Sequence, residues 1–196
     1  MTYHEILGAT SAAQQIVGVL ALAQQIVFFA LMTVCTYTDI AKDRVYNWVT
    51  LPAIFVGLGL WFMSYGTDKP FIYAVAAAAV GGGVFFIVFL FRAVGAGDVK
   101  LMAAVGALMG WKFTLVALFP IGIVGAVMAV GVLIYRKQVF RGLKSSAKLM
   151  VTFKKSKPPE GEKPITIPYG AAIAIGSMWA WALLSIMNRL PTIKHP

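Results

Sequence analysis

The chain has 196 residues, 60% hydrophobic and only 12% charged, with a mean hydropathy of +0.81. Soluble domains of this size keep about a quarter of their residues charged, and β-barrel strands alternate apolar and polar residues instead of running continuously apolar, so both classes are excluded. The net charge of +10 at pH 7 reads as the lysine and arginine surplus that orients membrane helices, not as a nucleic-acid footprint.

Residues 1–15 are mildly polar and contain no lysine or arginine, so they do not open a cleavable signal peptide. A first span is expected over 16–38, with Gln24 and Gln25 inside it, followed by a short polar segment at 39–47. The second, 48–65, contains Pro52, which suits the first turn of a helix. A turn at 66–70 leads to the third span, 71–91, where Gly81, Gly82 and Gly83 allow helices to approach closely. A fourth, over 98–110, is short for a full crossing, and extending it back through Asp98 puts that residue in the first turns. Gly110-Trp111-Lys112 reads as a turn, and the fifth span, 113–135, carries Pro120, where a kink is expected. A long, strongly basic loop at 136–163 precedes the last span, 165–187. The expected fold class is therefore a single all-α polytopic membrane domain, 1–196, with about six transmembrane helices.

Alternation places loops 39–47, 92–100 and 136–163 on one side of the membrane. They hold 13 of the 17 lysines and arginines, and Lys69, Lys112, Arg189 and Lys194 lie on the other side. The richer side is cytoplasmic by the positive-inside rule, with both chain ends outside. Loop 136–163 is expected to act as a topology signal and to touch anionic lipid. Tyr37, Trp48, Trp61 and Trp111, near span ends, read as interfacial anchors.

Two acids stand out against this background. Asp98 lies between the apolar runs 74–91 and 101–109, and a carboxylate there costs up to ~2.5–3.5 kcal/mol if at mid-helix. Asp39 ends the first span on the same expected face, 59 residues earlier in the chain. Paired carboxylates that nearly touch do not both ionise readily, so one keeps a proton while the other draws a proton from water. That is a route to peptide hydrolysis without a metal. His4 and His195 sit at the termini, which leaves no internal histidine as base for a serine or cysteine nucleophile. The single cysteine, Cys35, excludes an intramolecular disulfide and a cysteine-based zinc cluster and reads as packing; neither metal nor cofactor is expected. The plainer readings are an ion pair of Asp39 with Lys42 or Arg44, a helix cap for Asp98, and a tight turn for Gly95 and Gly97. Asp43, four residues past Asp39, is the ambiguous third acid.

Gly95-Ala96-Gly97-Asp98 resembles the Gly-x-Gly-Asp motif of membrane-embedded aspartyl proteases, and the following Val99-Lys100 resembles the prepilin peptidase branch. Asp39 followed by Arg44-Val45-Tyr46-Asn47 is similar to that family's first motif, an Asp followed seven residues later by Pro-Asn; Tyr46 stands in the proline's place, and the spacing selects Asp39 over Asp43. Ile167-Pro168-Tyr169-Gly170 resembles a Pro-Phe-Gly element of the last helix.

This resemblance implies a presenilin-like, GxGD-type architecture and a type IV prepilin peptidase. Such an enzyme cuts a short basic leader from prepilins at the cytoplasmic face of the bacterial inner membrane, with Asp39 and Asp98 catalytic. Gly95 and Gly97 would let substrate backbone approach the acids, and Asn47, Pro168, Tyr169 and Gly170 would shape the site. Lys100 has two readings, a cytoplasmic anchor or a tuner of a nearby carboxylate. With one cysteine and no extra N-terminal region, the chain looks like the short, peptidase-only type associated with tight-adherence (Flp) pili, without N-methyltransferase activity. The alternative from another class is an ion- or proton-coupled transporter using Asp39 and Asp98. No convincing internal repeat is seen and both acids map to one face, which favours the peptidase.

Overall fold

In a bilayer the backbone has no water to bond, so apolar segments of this length satisfy their own N–H and C=O groups as helices. The computed structural model describes residues 3–42, 44–66, 68–91, 94–135 and 169–189. They form α1 (Tyr3–Lys42), α2 (Asn47–Tyr65), α3 (Lys69–Leu90), α4 (Ala96–Tyr135) and α5 (Tyr169–Arg189). Each contains a stretch long and apolar enough to cross a membrane, so the chain is an all-α polytopic membrane protein. Phe55, Phe119 and Ile26 are among the large apolar side chains left exposed on its outside, as expected of a surface that meets lipid.

Five helices lie among the described residues, and one of them, α4, holds both the fourth and the fifth expected spans on either side of a break. The chain reverses inside α4 at Gly110, whose φ of 75° and ψ of −175° leave the helical region. A Cβ built on Gly81 of α3 would lie 2.9 Å from Met102 O and 3.2 Å from Thr114 Cγ2. A straight helix would separate residues 102 and 114 by about 18 Å, so the two arms of α4 run back alongside each other. The expected turn at 110–112 is thus confined to Gly110, where only glycine adopts such dihedrals readily. The dihedrals at Pro120 stay within the helical region, so the chain is not broken there as it is at Gly110. Side chains satisfy the freed backbone: Trp61 Nε1 donates to Leu108 O at 3.2 Å and Thr114 Oγ1 donates to Gly110 O at 2.8 Å. Trp61, expected as an interfacial anchor, thus partners the break at Gly110.

α4 packs against all four other helices. Its first arm is wedged between α2 and α3 through small residues. Gly57 would place a Cβ 2.9 Å from the Ala107 backbone, Gly82 one 3.1 Å from Ala103 Cβ, and Gly106 one against the Ala77 carbonyl. The second arm packs on α5, where a Cβ on Gly176 would lie 2.5 Å from Ile121 Cα. Phe28 meets Phe113 edge-on at 5.4 Å and Phe29 meets Trp181 at 5.1 Å, closing the core at the Gly110 end.

Helix boundaries differ locally from the sequence reading. α1 continues through Lys42, so Asp39 lies inside its last turn instead of in a loop. α2 starts at Asn47 because Tyr46 is extended, which puts Pro52 in the second turn. Loop 136–163, with its expected lipid contact, lies outside the described residues, as do Asp43 and Pro168.

Candidate active site

α4 begins with a half capping box. Gly95 precedes its first residue, and Asp98, three residues on, reaches back so that Oδ2 accepts the Gly95 N–H at 2.9 Å; the Asp98 N–H donates to Gly95 O at 3.1 Å. Asp98 thus does cap a helix, but one that starts at Ala96 rather than at Val99.

Asp39 is held from a different direction. Its Oδ2 accepts the Ala171 N–H at 3.1 Å, in the first turn of α5. The carboxylate stands near the C-terminal, partially negative end of α1 and receives a donor from the partially positive end of α5. A Cβ on Gly170 would fall 2.8 Å from Asp39 Oδ2, so only a bare backbone lets α5 approach this closely. Both aspartates are only 6% exposed and lie within electrostatic reach of each other. Cys35, one turn before Asp39 on the same face of α1, is buried within reach of both, and Tyr169 is within reach of Asp98.

The remaining site residues divide. Gly95 is exposed, and a Cβ there would make only ordinary contacts, the nearest 3.4 Å from Asp98 Oδ2. Gly97 is covered by the chain itself, since a Cβ would lie 2.8 Å from Val45 Cβ and 3.0 Å from Val45 O. The space left by Gly97 thus accommodates the linker 44–46. Lys100 Nζ donates to Asn47 Oδ1 at 2.8 Å, tying the first turn of α2 to that of α4. Tyr169 packs edge-on against Phe85, with ring centroids 6.0 Å apart. Val45, Phe85 and Ala171 were not anticipated. Val45 and Phe85 are ordinary apolar residues in the sequence, and Ala171 contributes only its backbone N–H. Among the described residues no three His, Cys, Asp or Glu side chains gather as a metal-ligand set.

Two buried carboxylates at one end of a bundle, each accepting a backbone N–H, can exchange a proton between water and a substrate carbonyl. A sequence profile of the type IV leader peptidase family matches residues 26–130, just over half the chain, including both aspartates. No match was found among curated proteins or among solved structures.

Proposed function

We propose, for a chain that belongs to the type IV leader peptidase family, that Asp39 and Asp98 are the catalytic pair of its peptidase reaction. Membership makes it a membrane protease of the prepilin leader peptidase type in general. The observation that carries the assignment is the convergence of two acids 59 residues apart at the junction of α1, α4 and α5.

In the proposed reaction one carboxylate takes a proton from water as the water oxygen attacks the scissile carbonyl carbon. The other carboxyl, protonated, gives its proton to the carbonyl oxygen. The tetrahedral intermediate collapses as its C–N bond breaks, the departing nitrogen takes up a proton, and the carboxyl regains its own. Ala171 N–H and Gly95 N–H hold the two acids in place throughout. Gly95 offers the open approach for substrate backbone, Gly170 lets the backbone of α5 reach Asp39, and Tyr169, Asn47 and Lys100 shape the surroundings. Pro168 belongs to the same proposal through its motif alone.

The finer reading is an aspartic endopeptidase of the bacterial inner membrane. It removes the short basic leader of type IV, Flp-type prepilins at the cytoplasmic face, ahead of the pilin's apolar helix, and so serves pilus assembly and secretion. Orientation is supported by the lysine and arginine asymmetry. Because α4 doubles back at Gly110, its two ends lie on the same side, which supports the expected alternation that groups the basic loops 92–100 and 136–163. Anionic lipid is the proposed partner of 136–163. Absence of N-methyltransferase activity is part of the same reading, supported by the lone buried Cys35.

The test uses membranes bearing the protein and a synthetic substrate with a basic leader before an apolar helix, with product masses measured in the presence of S-adenosylmethionine. The reading predicts one cut at the leader boundary and an unmethylated new N-terminus. Cuts within the apolar helix, or none, would contradict it. An Asn47→Cys variant should react with a membrane-impermeant thiol reagent only from the cytoplasmic side.

A further inference from the structure

Consecutive residues of α5 engage different helices. Gly170 faces α1 and Asp39, and Tyr169 faces α4. The hydroxyl end of the Tyr169 ring rests on the bare backbone of Gly125. A Cβ at Gly125 would overlap the hydroxyl oxygen and lie 2.6 Å from Cζ and 2.9 Å from Cε2. Phe85 of α3 braces the same ring from the side. Gly125 is 27 residues beyond Asp98, about 40 Å away along a straight helix, and reaches this level only because α4 folds at Gly110.

Resting on the assignment of Asp39 and Asp98 as the catalytic pair, we propose that Gly125 is a positioning residue for leader cleavage: it seats the Tyr169 ring, and that seat sets the first turn of α5 against Asp39. Glycine inside a helix is unfavourable relative to alanine, and the same arm has glycines with no such duty. Gly122 and Gly131 have nothing within 4 Å of a would-be Cβ. Gly176, also on the α4–α5 interface, meets the backbone and side chain of Ile121 and packs two helices together without reaching the site. Gly125 differs in that its neighbour is the side chain of the residue next to Gly170. A displaced ring moves the Gly170–Ala171 backbone, and with it the N–H that holds Asp39.

The experiment is a double-mutant cycle on the purified full chain in liposomes, with the basic-leader substrate. Gly125→Ala is expected to lower kcat roughly 10- to 100-fold, as sub-ångström to ångström misplacement does, with KM within about twofold. Gly122→Ala is expected to match wild type. Tyr169→Leu removes the distal ring atoms, so adding Gly125→Ala to it is expected to cost nothing further. If Gly125 only packs helices, alanine there costs the same factor in both backgrounds, which would overturn the seat, as would full activity of Gly125→Ala. Should Gly125→Ala fail to fold, the seat predicts that Tyr169→Leu in the same chain restores folding, and failure to do so also overturns it. A readout independent of cleavage separates this inference from the functional reading. In 3-fluorotyrosine-labelled protein, the Tyr169 fluorine resonance (assigned with Tyr169→Phe) should move in Gly125→Ala and stay in Gly122→Ala. A resonance unmoved in both refutes the seat, whereas wild type that never cleaves refutes the functional assignment and leaves the resonance test standing.

Discussion

Around Gly110 the chain breaks a helix within the bundle and covers the break with permanent partners: Trp61 on Leu108 O, Thr114 on Gly110 O, and Phe113 against Phe28. At the other end the chain is non-helical just before α4, and the first turn of α5 lies beside it. There the N–H groups of Gly95 and Ala171 are met by carboxylates that are themselves proposed to react. Both ends obey the rule that irregular backbone at membrane depth needs partners. They differ in whether those partners can be exchanged. The Gly110 end should therefore govern stability with little effect on the rate per folded molecule, and the aspartate end should do the reverse.

The comparison is sharpened most by the acids themselves. Asp39→Asn or Asp98→Asn should lower cleavage by roughly 10³-fold or more, in the range lost with a general acid or base. Thermal stability should hold, because an amide oxygen still accepts the backbone N–H and a neutral amide is cheaper to bury than a charged carboxylate. A stability loss comparable to that at Gly110 would break the contrast. Next comes Gly170→Val, whose side chain enters the space of Asp39 Oδ2. A fall of about 100-fold in kcat is expected, in a protein that still folds, measured by single-turnover cleavage. At the opposite end Gly110→Val puts a β-branched residue at φ 75° with Trp61 Cζ2 3.1 Å from its Cβ. It should cost about 1–3 kcal/mol of stability, read by thermal or denaturant unfolding, with near-normal cleavage per folded molecule. Trp61→Phe is the mildest, losing one hydrogen bond worth about 1 kcal/mol and leaving kcat unchanged.

The aspartate end was the more legible in the sequence, for a physical reason. A carboxylate in an apolar chain is expensive and therefore visible, and alternation of spans against the lysine and arginine count put Asp39 and Asp98 on one face. Gly81 and Gly82 were also legible as close-packing positions, although Gly83 beside them meets nothing within 4 Å. The reversal at 110–112 could be placed, but not its form, because a positive φ leaves no hydrophobic pattern. Least legible were contacts made across long sequence separations. Val45 over Gly97 is one, and the Ala171 N–H on Asp39 and the Gly125 seat are others. A backbone N–H carries no sequence signature, and a glycine does not tell which distant residue lies against it.

The claim at the centre is that Asp39 and Asp98 act as one unit, and the most direct measurement is the cleavage rate of Asp39→Asn, Asp98→Asn and the double variant in the same membranes, with Asp43→Asn beside them. Groups that work as a unit lose about as much singly as together. The account predicts the same residual rate for both single variants and the double, and a wild-type rate for Asp43→Asn. Multiplying losses, or wild-type cleavage by either single variant, would contradict it.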